Sequence, residues 1–127
     1  MNVVDSSGWV EYFINGPNSD AFVPVVQDVE NLLVPSICIY EVFKRLIRDL
    51  GEESALQAVG IMSYGSEIEL DRKIAIDAAQ VSIEYKLAMT GSIILATARA
   101  QEATLWTQDE HFKDLEGVKY VVKKQKA

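Results

Sequence analysis

Apolar residues follow two rhythms along this chain. Short continuous runs at Asn2–Asp5, Leu32–Val34, Ala103–Thr107 and Val118–Val122 have the length of buried strands, and Glu67–Leu70 reads as a further brief strand. Longer stretches between them carry helical spacing. Ser6, Ser7 and Gly8 open a helix that Ser6 or Ser7 can cap. Asn15-Gly16-Pro17-Asn18 breaks the pattern, and Pro17 suits the start of a second helix reaching about Gln27. Pro35 closes the second strand. The clearest helix follows, capped by Ser36 and stopped by Gly51, with Ile39, Phe43, Leu46, Ile47 and Leu50 at helical intervals. Glu41, Lys44, Arg45 and Arg48 form its polar face. Further helices are predicted over Glu52–Met62, from an Asp71 cap through Ile74, Ala78, Val81 and Tyr85, and over Ser92–Ala100.

Strand and helix alternate throughout. That order predicts an α/β fold in three layers, with a mostly parallel sheet covered by helices on both faces. A chain of 127 residues is the size of one domain, so residues 1–127 are expected to form a single unit. Ligands of such folds gather at the carboxyl ends of the strands. Asp5 ends the first strand and Asp109 lies just beyond the fourth.

Composition narrows the class. With 49% apolar and 24% charged residues the chain can bury a core in water. No apolar run is long enough for a bilayer, Met1–Asp5 has no basic leader, and Cys38 is the single cysteine, which together predict a cytoplasmic protein with no membrane contact. The net charge of −7 opposes nucleic-acid binding in total, yet local patches outweigh the sum, and a carboxylate metal site contributes negative charge that cations offset.

Phosphodiester hydrolysis requires an activated water and neutralisation of the scissile phosphate, and hard divalent cations held by carboxylates supply both. Asp5, Glu41 and Asp109 are far apart in sequence and suited to converge at one sheet edge. Without a cation they would raise one another's pKa. The competing reading makes them solvated acids at strand ends and helix faces.

Val3-Val4-Asp5-Ser6-Ser7, Ile39-Tyr40-Glu41-Val42, Ser92-Ile93-Ile94-Leu95-Ala96-Thr97-Ala98 and Ala103-Thr104-Leu105-Trp106-Thr107-Gln108-Asp109 together resemble, in that order, the motif series of PIN domains. The length is similar to that of VapC-like toxins of toxin–antitoxin systems. The resemblance implies about five parallel strands, a Mg²⁺ or Mn²⁺ site and endonucleolytic cleavage of RNA. It also implies homodimers and inhibition by a cognate antitoxin protein. Residue by residue, Asp5, Glu41 and Asp109 match the first, second and fourth metal-binding acids. Ser6 or Ser7 and Thr107 match supporting hydroxyl positions.

The third acid normally precedes the Ser92–Ala98 run directly, and here that position is Gly91. Glycine supplies neither ligand nor charge, so impaired catalysis is expected. Three explanations stand side by side: a catalytically inactive PIN module that binds an antitoxin or another protein, compensation by Asp114 or Glu110, or a change selected in a toxic protein, since Asp to Gly needs one base. A response-regulator phosphoacceptor would need paired acids near the N-terminus and a late lysine, whereas Asp5 stands beside Ser6 and Ser7.

Other residues carry paired readings. Lys44, Arg45 and Arg48 either contact an RNA backbone or form a solvated face paired with Glu41. Trp9, Tyr12 and Phe13 divide between core and partner surface, with Phe13 assigned to the core. His111 and Asp77 are read as surface residues and Cys38 as a small buried one. Lys123-Lys124-Gln125-Lys126 reads as a frayed basic tail with a possible RNA contact.

Overall fold

Val3 and Val4 are fully shielded from solvent, and their strand β1 (Asn2–Val4) lies at the centre of the sheet. The computed structural model describes residues 1–124, so Gln125 and Lys126 of the basic tail lie outside the described residues. On one side β1 pairs with β2 (Leu32–Pro35), which pairs with β3 (Ser66–Ile68). On the other side it pairs with β4 (Thr104–Thr107), which pairs with β5 (Val118–Tyr120). All pairings are parallel, and the order is β3-β2-β1-β4-β5.

This order has a functional consequence. The chain winds outward from β1 to β3, then crosses back to place β4 on the opposite side of β1. Where winding reverses, the connections leave in opposite directions and a crevice opens at the carboxyl ends of the strands. Asp5 follows β1 directly and Asp109 lies two residues past β4, so both border that crevice.

The helices are α1 (Ser6–Phe13), α2 (Ser19–Gln27), α3 (Ser36–Leu50), α4 (Glu52–Met62), α5 (Arg72–Tyr85) and α6 (Met89–Ala100). Short 3₁₀ turns cover Val29–Asn31 and Glu110–Phe112. The anticipated three-layer α/β architecture is present. Asp71 caps α5 by accepting the Ile74 N–H at 2.8 Å, and Gly51 ends α3 with φ of +95°, a conformation costly for other residues.

Several expectations are corrected. On α3 the buried stripe is Cys38, Val42 and Leu46, whereas Ile47 and Leu50 are exposed. The stripe follows the i, i+4 row that contacts the sheet, so the more apolar row predicted from spacing faces partly outward. On α1 Trp9 is fully buried, while Phe13 is half-buried and packs against the core as assigned, its ring stacked on Trp9 with centroids 5.6 Å apart. Helix α6 starts at Met89 rather than Ser92. Gly91 therefore lies inside the first turn of the helix instead of preceding it. Cys38 is buried as expected, and Asp77 pairs with Lys73 at 2.7 Å on the surface.

Among the described residues, no helix is long and apolar enough to cross a membrane.

Candidate metal centre

Asp5 leaves β1 in an extended conformation and itself caps α1, its Oδ1 accepting the Gly8 N–H at 2.9 Å. Neither Ser6 nor Ser7 is the cap. A carboxylate at the strand end reaches the free N–H groups as a hydroxyl would, and brings a charge that the helix N-terminus favours. The two serines serve the acids instead. Ser7 donates its hydroxyl to Asp5 Oδ1 at 2.7 Å, and Ser6 donates to Glu41 Oε1 at 2.6 Å, joining α1 to α3. Thr107 at the end of β4 donates to Asp5 Oδ2 at 2.6 Å, and its Oγ1 accepts the Asp109 N–H at 2.9 Å. One hydroxyl therefore couples the first acid to the backbone of the last. Gly8 allows this close fit: a Cβ there would lie 2.7 Å from both Val4 and Phe22 side-chain carbons.

Asp5, Glu41 and Asp109 line a single cavity of about 670 Å³. Three acids separated by most of the chain thus border one space. Lys44, Arg45 and Arg48 line the same cavity, as does Lys86, which closes α5 in a left-handed conformation. The anticipated pairs between Glu41 and the α3 cations do not form. Lys44 Nζ instead lies 3.4 Å from the Tyr40 hydroxyl, while Arg45 and Arg48 bind Asp49 at 2.8 and 2.9 Å. Arg48 and Arg45 hold the Asp49 carboxyl down to about 2. These contacts are exposed and therefore weak, so a phosphate can compete for the arginines.

His111 lies on the surface, as read from the sequence, but it is not free. Its side chain is mostly exposed, yet Nδ1 lies 2.7 Å from Asp109 Oδ1, which also accepts the His111 backbone N–H at 3.0 Å. That hydrogen bond, helped by the charge of Asp109, raises the imidazole pKa above its ordinary value.

Asp5 is 3% exposed, and burial pushes its carboxyl from 3.8 up to about 6. The hydrogen bonds from Thr107, Gly8 and Ser7 pull the other way without cancelling this, and Asp109 adds a smaller upward push. Because the folded state holds this proton more tightly than the unfolded chain, Asp5 favours folding most below about pH 4 and loses that advantage as pH rises through about 6. The change corresponds to about 3 kcal/mol. Urea unfolding of the metal-free protein at pH 4.5 and pH 7.5 should show about 2 kcal/mol of this loss relative to Asp5→Asn, which lacks the titrating group.

Gly91 lies in the first turn of α6 and lines the same cavity, but the third-acid position is not an open vacancy. A Cβ there would lie 2.9 Å from Phe112 Cζ, and Phe112 is buried. The compensating acids suggested by sequence do not fill the gap. Glu110 lines a neighbouring cavity that shares Asp109 with the first, and Asp114 lines neither cavity.

Among the described residues, no three His, Cys, Asp or Glu side chains are close enough to form a metal cluster by themselves. The donors are nonetheless hard carboxylate oxygens. Mg²⁺ is commonly held by one or two carboxylates and completes its shell with water and substrate phosphate, a mode that fits this set. Tyr40, Lys86, Thr90 and Phe112 also line the cavity without having been singled out from sequence as site residues. Tyr40 adjoins Glu41 and Lys86 precedes the third motif, which were the available signals.

The PIN domain family profile matches residues 3–118. No curated protein matches the chain. Among solved structures, a toxin–antitoxin complex from Klebsiella pneumoniae is similar at 23% identity and a TM-score of 0.74, covering 93% of this chain and 95% of that one. DNA-bound VapBC from Salmonella typhimurium is similar at 18% identity and a TM-score of 0.75, with 95% and 96% covered. The sarcin-ricin-loop-cleaving toxin VapC20 from Mycobacterium tuberculosis gives 14% identity and a TM-score of 0.71, with 88% and 92% covered.

Proposed function

Because the chain belongs to the PIN domain family, we propose that it is a VapC-like toxin that cleaves RNA with a divalent cation bound in the cavity that Asp5, Glu41 and Asp109 line, one or two of these carboxylates holding it and water and substrate phosphate completing its shell. PIN domain and VapC proteins are nucleases, and PIN nucleases generally use divalent metals. The observation carrying the proposal is the one cavity that joins these three acids to Lys44, Arg45, Arg48 and Lys86. A Mg²⁺ or Mn²⁺ ion bound there supplies charge neutralisation at the scissile phosphate and lowers the pKa of water.

The chain's own residues do the rest. Ser7 and Thr107 fix both oxygens of Asp5, and Ser6 fixes Glu41 from the facing helix. These bonds restrict rotation of the carboxylates, the usual role of groups behind metal ligands. Lys44, Arg45, Arg48 and Lys86 attract the RNA backbone despite the net charge of −7. The similarity to toxin–antitoxin complexes supports a cognate antitoxin as protein partner, and we extend the proposal to a cytoplasmic homodimer.

Gly91 favours a second reading, a catalytically inactive PIN module that engages an antitoxin or another protein. One experiment separates them. Purified protein incubated with total RNA and Mn²⁺ or Mg²⁺ should give slow cleavage that EDTA stops. A folded protein that yields no product across the metal range selects the binding module.

A further inference from the structure

The acid-lined cavity has a neighbour. A second cavity of about 440 Å³ shares Ser7, Asp109 and His111 with it and extends to Tyr120 and Lys123. We propose that the two cavities form one groove for a single strand of RNA, with Lys123 binding a phosphate and Tyr120 facing a base across the Asp109 ridge from the α3 cations. The inference rests on the RNA-cleaving function above and adds a nucleotide subsite to it.

Three observations carry it. First, Asp109 borders both spaces, so a strand whose phosphate lies over this acid has room for a nucleotide on either side. Each volume falls within the range of roughly 300–1,000 Å³ typical of ligand sites. Second, Lys123 is presented by anchored backbone and not by a frayed tail. The Val121 N–H donates to the Thr107 carbonyl at 2.8 Å, and Asn18 Nδ2 donates to the Val122 carbonyl at 3.0 Å. Asn18 is itself fixed, donating to Gln108 Oε1 at 3.0 Å and through its backbone N–H to buried Glu11 at 2.6 Å. Third, the charge balance requires a cation. Asp109 and Glu110 line the second cavity and would repel a phosphate, whereas Lys123 forms no ion pair among the described residues. A cation beside an aromatic ring is the combination that single strands use, backbone charge plus base stacking.

The probe is fluorescence anisotropy with a labelled single-stranded oligoribonucleotide long enough to cross both cavities. Lys123→Ala should weaken binding roughly fivefold and reduce the salt slope by about 0.7, the contribution of one phosphate contact on a single strand. Lys124→Ala is the control, because Lys124 has the same charge one residue away and lines neither cavity. Tyr120→Leu should weaken binding of the normal strand more than that of an abasic one. Equal effects of the two lysine substitutions, or no effect of Lys123→Ala on a strand that the wild type binds, would overturn the subsite. If the wild type binds no RNA even at low salt, the RNA-cleaving function falls and takes the groove with it.

Discussion

Asp5→Asn is expected to lower divalent-cation affinity, and metal-dependent cleavage in any active background, about a hundredfold or more while leaving the fold intact. Loss of groups that merely support metal ligands already costs about 10–100-fold, and Asp5 is proposed as a ligand. Asparagine keeps an oxygen for Ser7 and Gly8, which donate at 2.7 and 2.9 Å. Its NH₂ would face Thr107, whose hydroxyl can turn to accept. The amide also removes a carboxylate that burial holds at a pKa of about 6, so the metal-free variant should match or exceed the wild type in stability at pH 7.5. Asp5→Ala should behave differently. It leaves two hydroxyls and a helix N–H without their acceptor, a loss of about 1–2 kcal/mol for the cap alone. Calorimetric titration with Mn²⁺ and thermal unfolding read the two effects separately. Undiminished cation affinity in Asp5→Asn would remove this residue from the metal site.

Gly91→Asp has the opposite sign, an expected gain of about tenfold or more in cation affinity with a matching gain in cleavage. Position 91 is the third residue of α6, and Ala88 caps that helix without a side-chain hydrogen bond. An acid there gains about 0.3–1 kcal/mol from the helix N-terminus, and replacing glycine by aspartate gains only about 0.3 kcal/mol in propensity. Against this stands the contact with Phe112, since the new Cβ would lie 2.9 Å from Cζ. Overpacking typically costs about 1–3 kcal/mol. The terms nearly offset, so the variant should fold with the Phe112 ring displaced. Adding Phe112→Leu should relieve the contact and retain the gain. A folded Gly91→Asp, with or without Phe112→Leu, that binds cations no better than the wild type would show that residue 91 does not face the metal.

How much of this was legible in the sequence depends on the kind of signal. Buried strands such as Val3-Val4 and helix stops such as Gly51 are local, and both stand where the pattern placed them. Asp5 and Asp109 were legible as strand-end acids, and the cavity brings them together with Glu41. Partners across the fold were not legible. Spacing along α3 paired Glu41 with Lys44 or Arg45, because sequence shows only neighbours on the same helix. Folding presents Ser6 to Glu41 and Asp49 to the arginines. Ser6 and Ser7 illustrate the same limit. Both were recognisable as capping residues, yet which atom caps depends on the direction in which β1 enters α1. Phe112 over Gly91 joins two segments 21 positions apart, and nothing local in either announces the contact.

The central claim is that one cation binds in the cavity that residues 5, 41 and 109 line. Mn²⁺ titration followed by paramagnetic broadening of amide signals tests it directly. At substoichiometric Mn²⁺, the amides of Ser6, Val42 and Glu110, each next to one of the acids, should broaden first and in parallel, and Asp5→Asn should abolish all three effects. Broadening that begins elsewhere, for example at Glu52 and Glu53 on α4, or that reaches the three amides at different Mn²⁺ concentrations, would contradict a shared site.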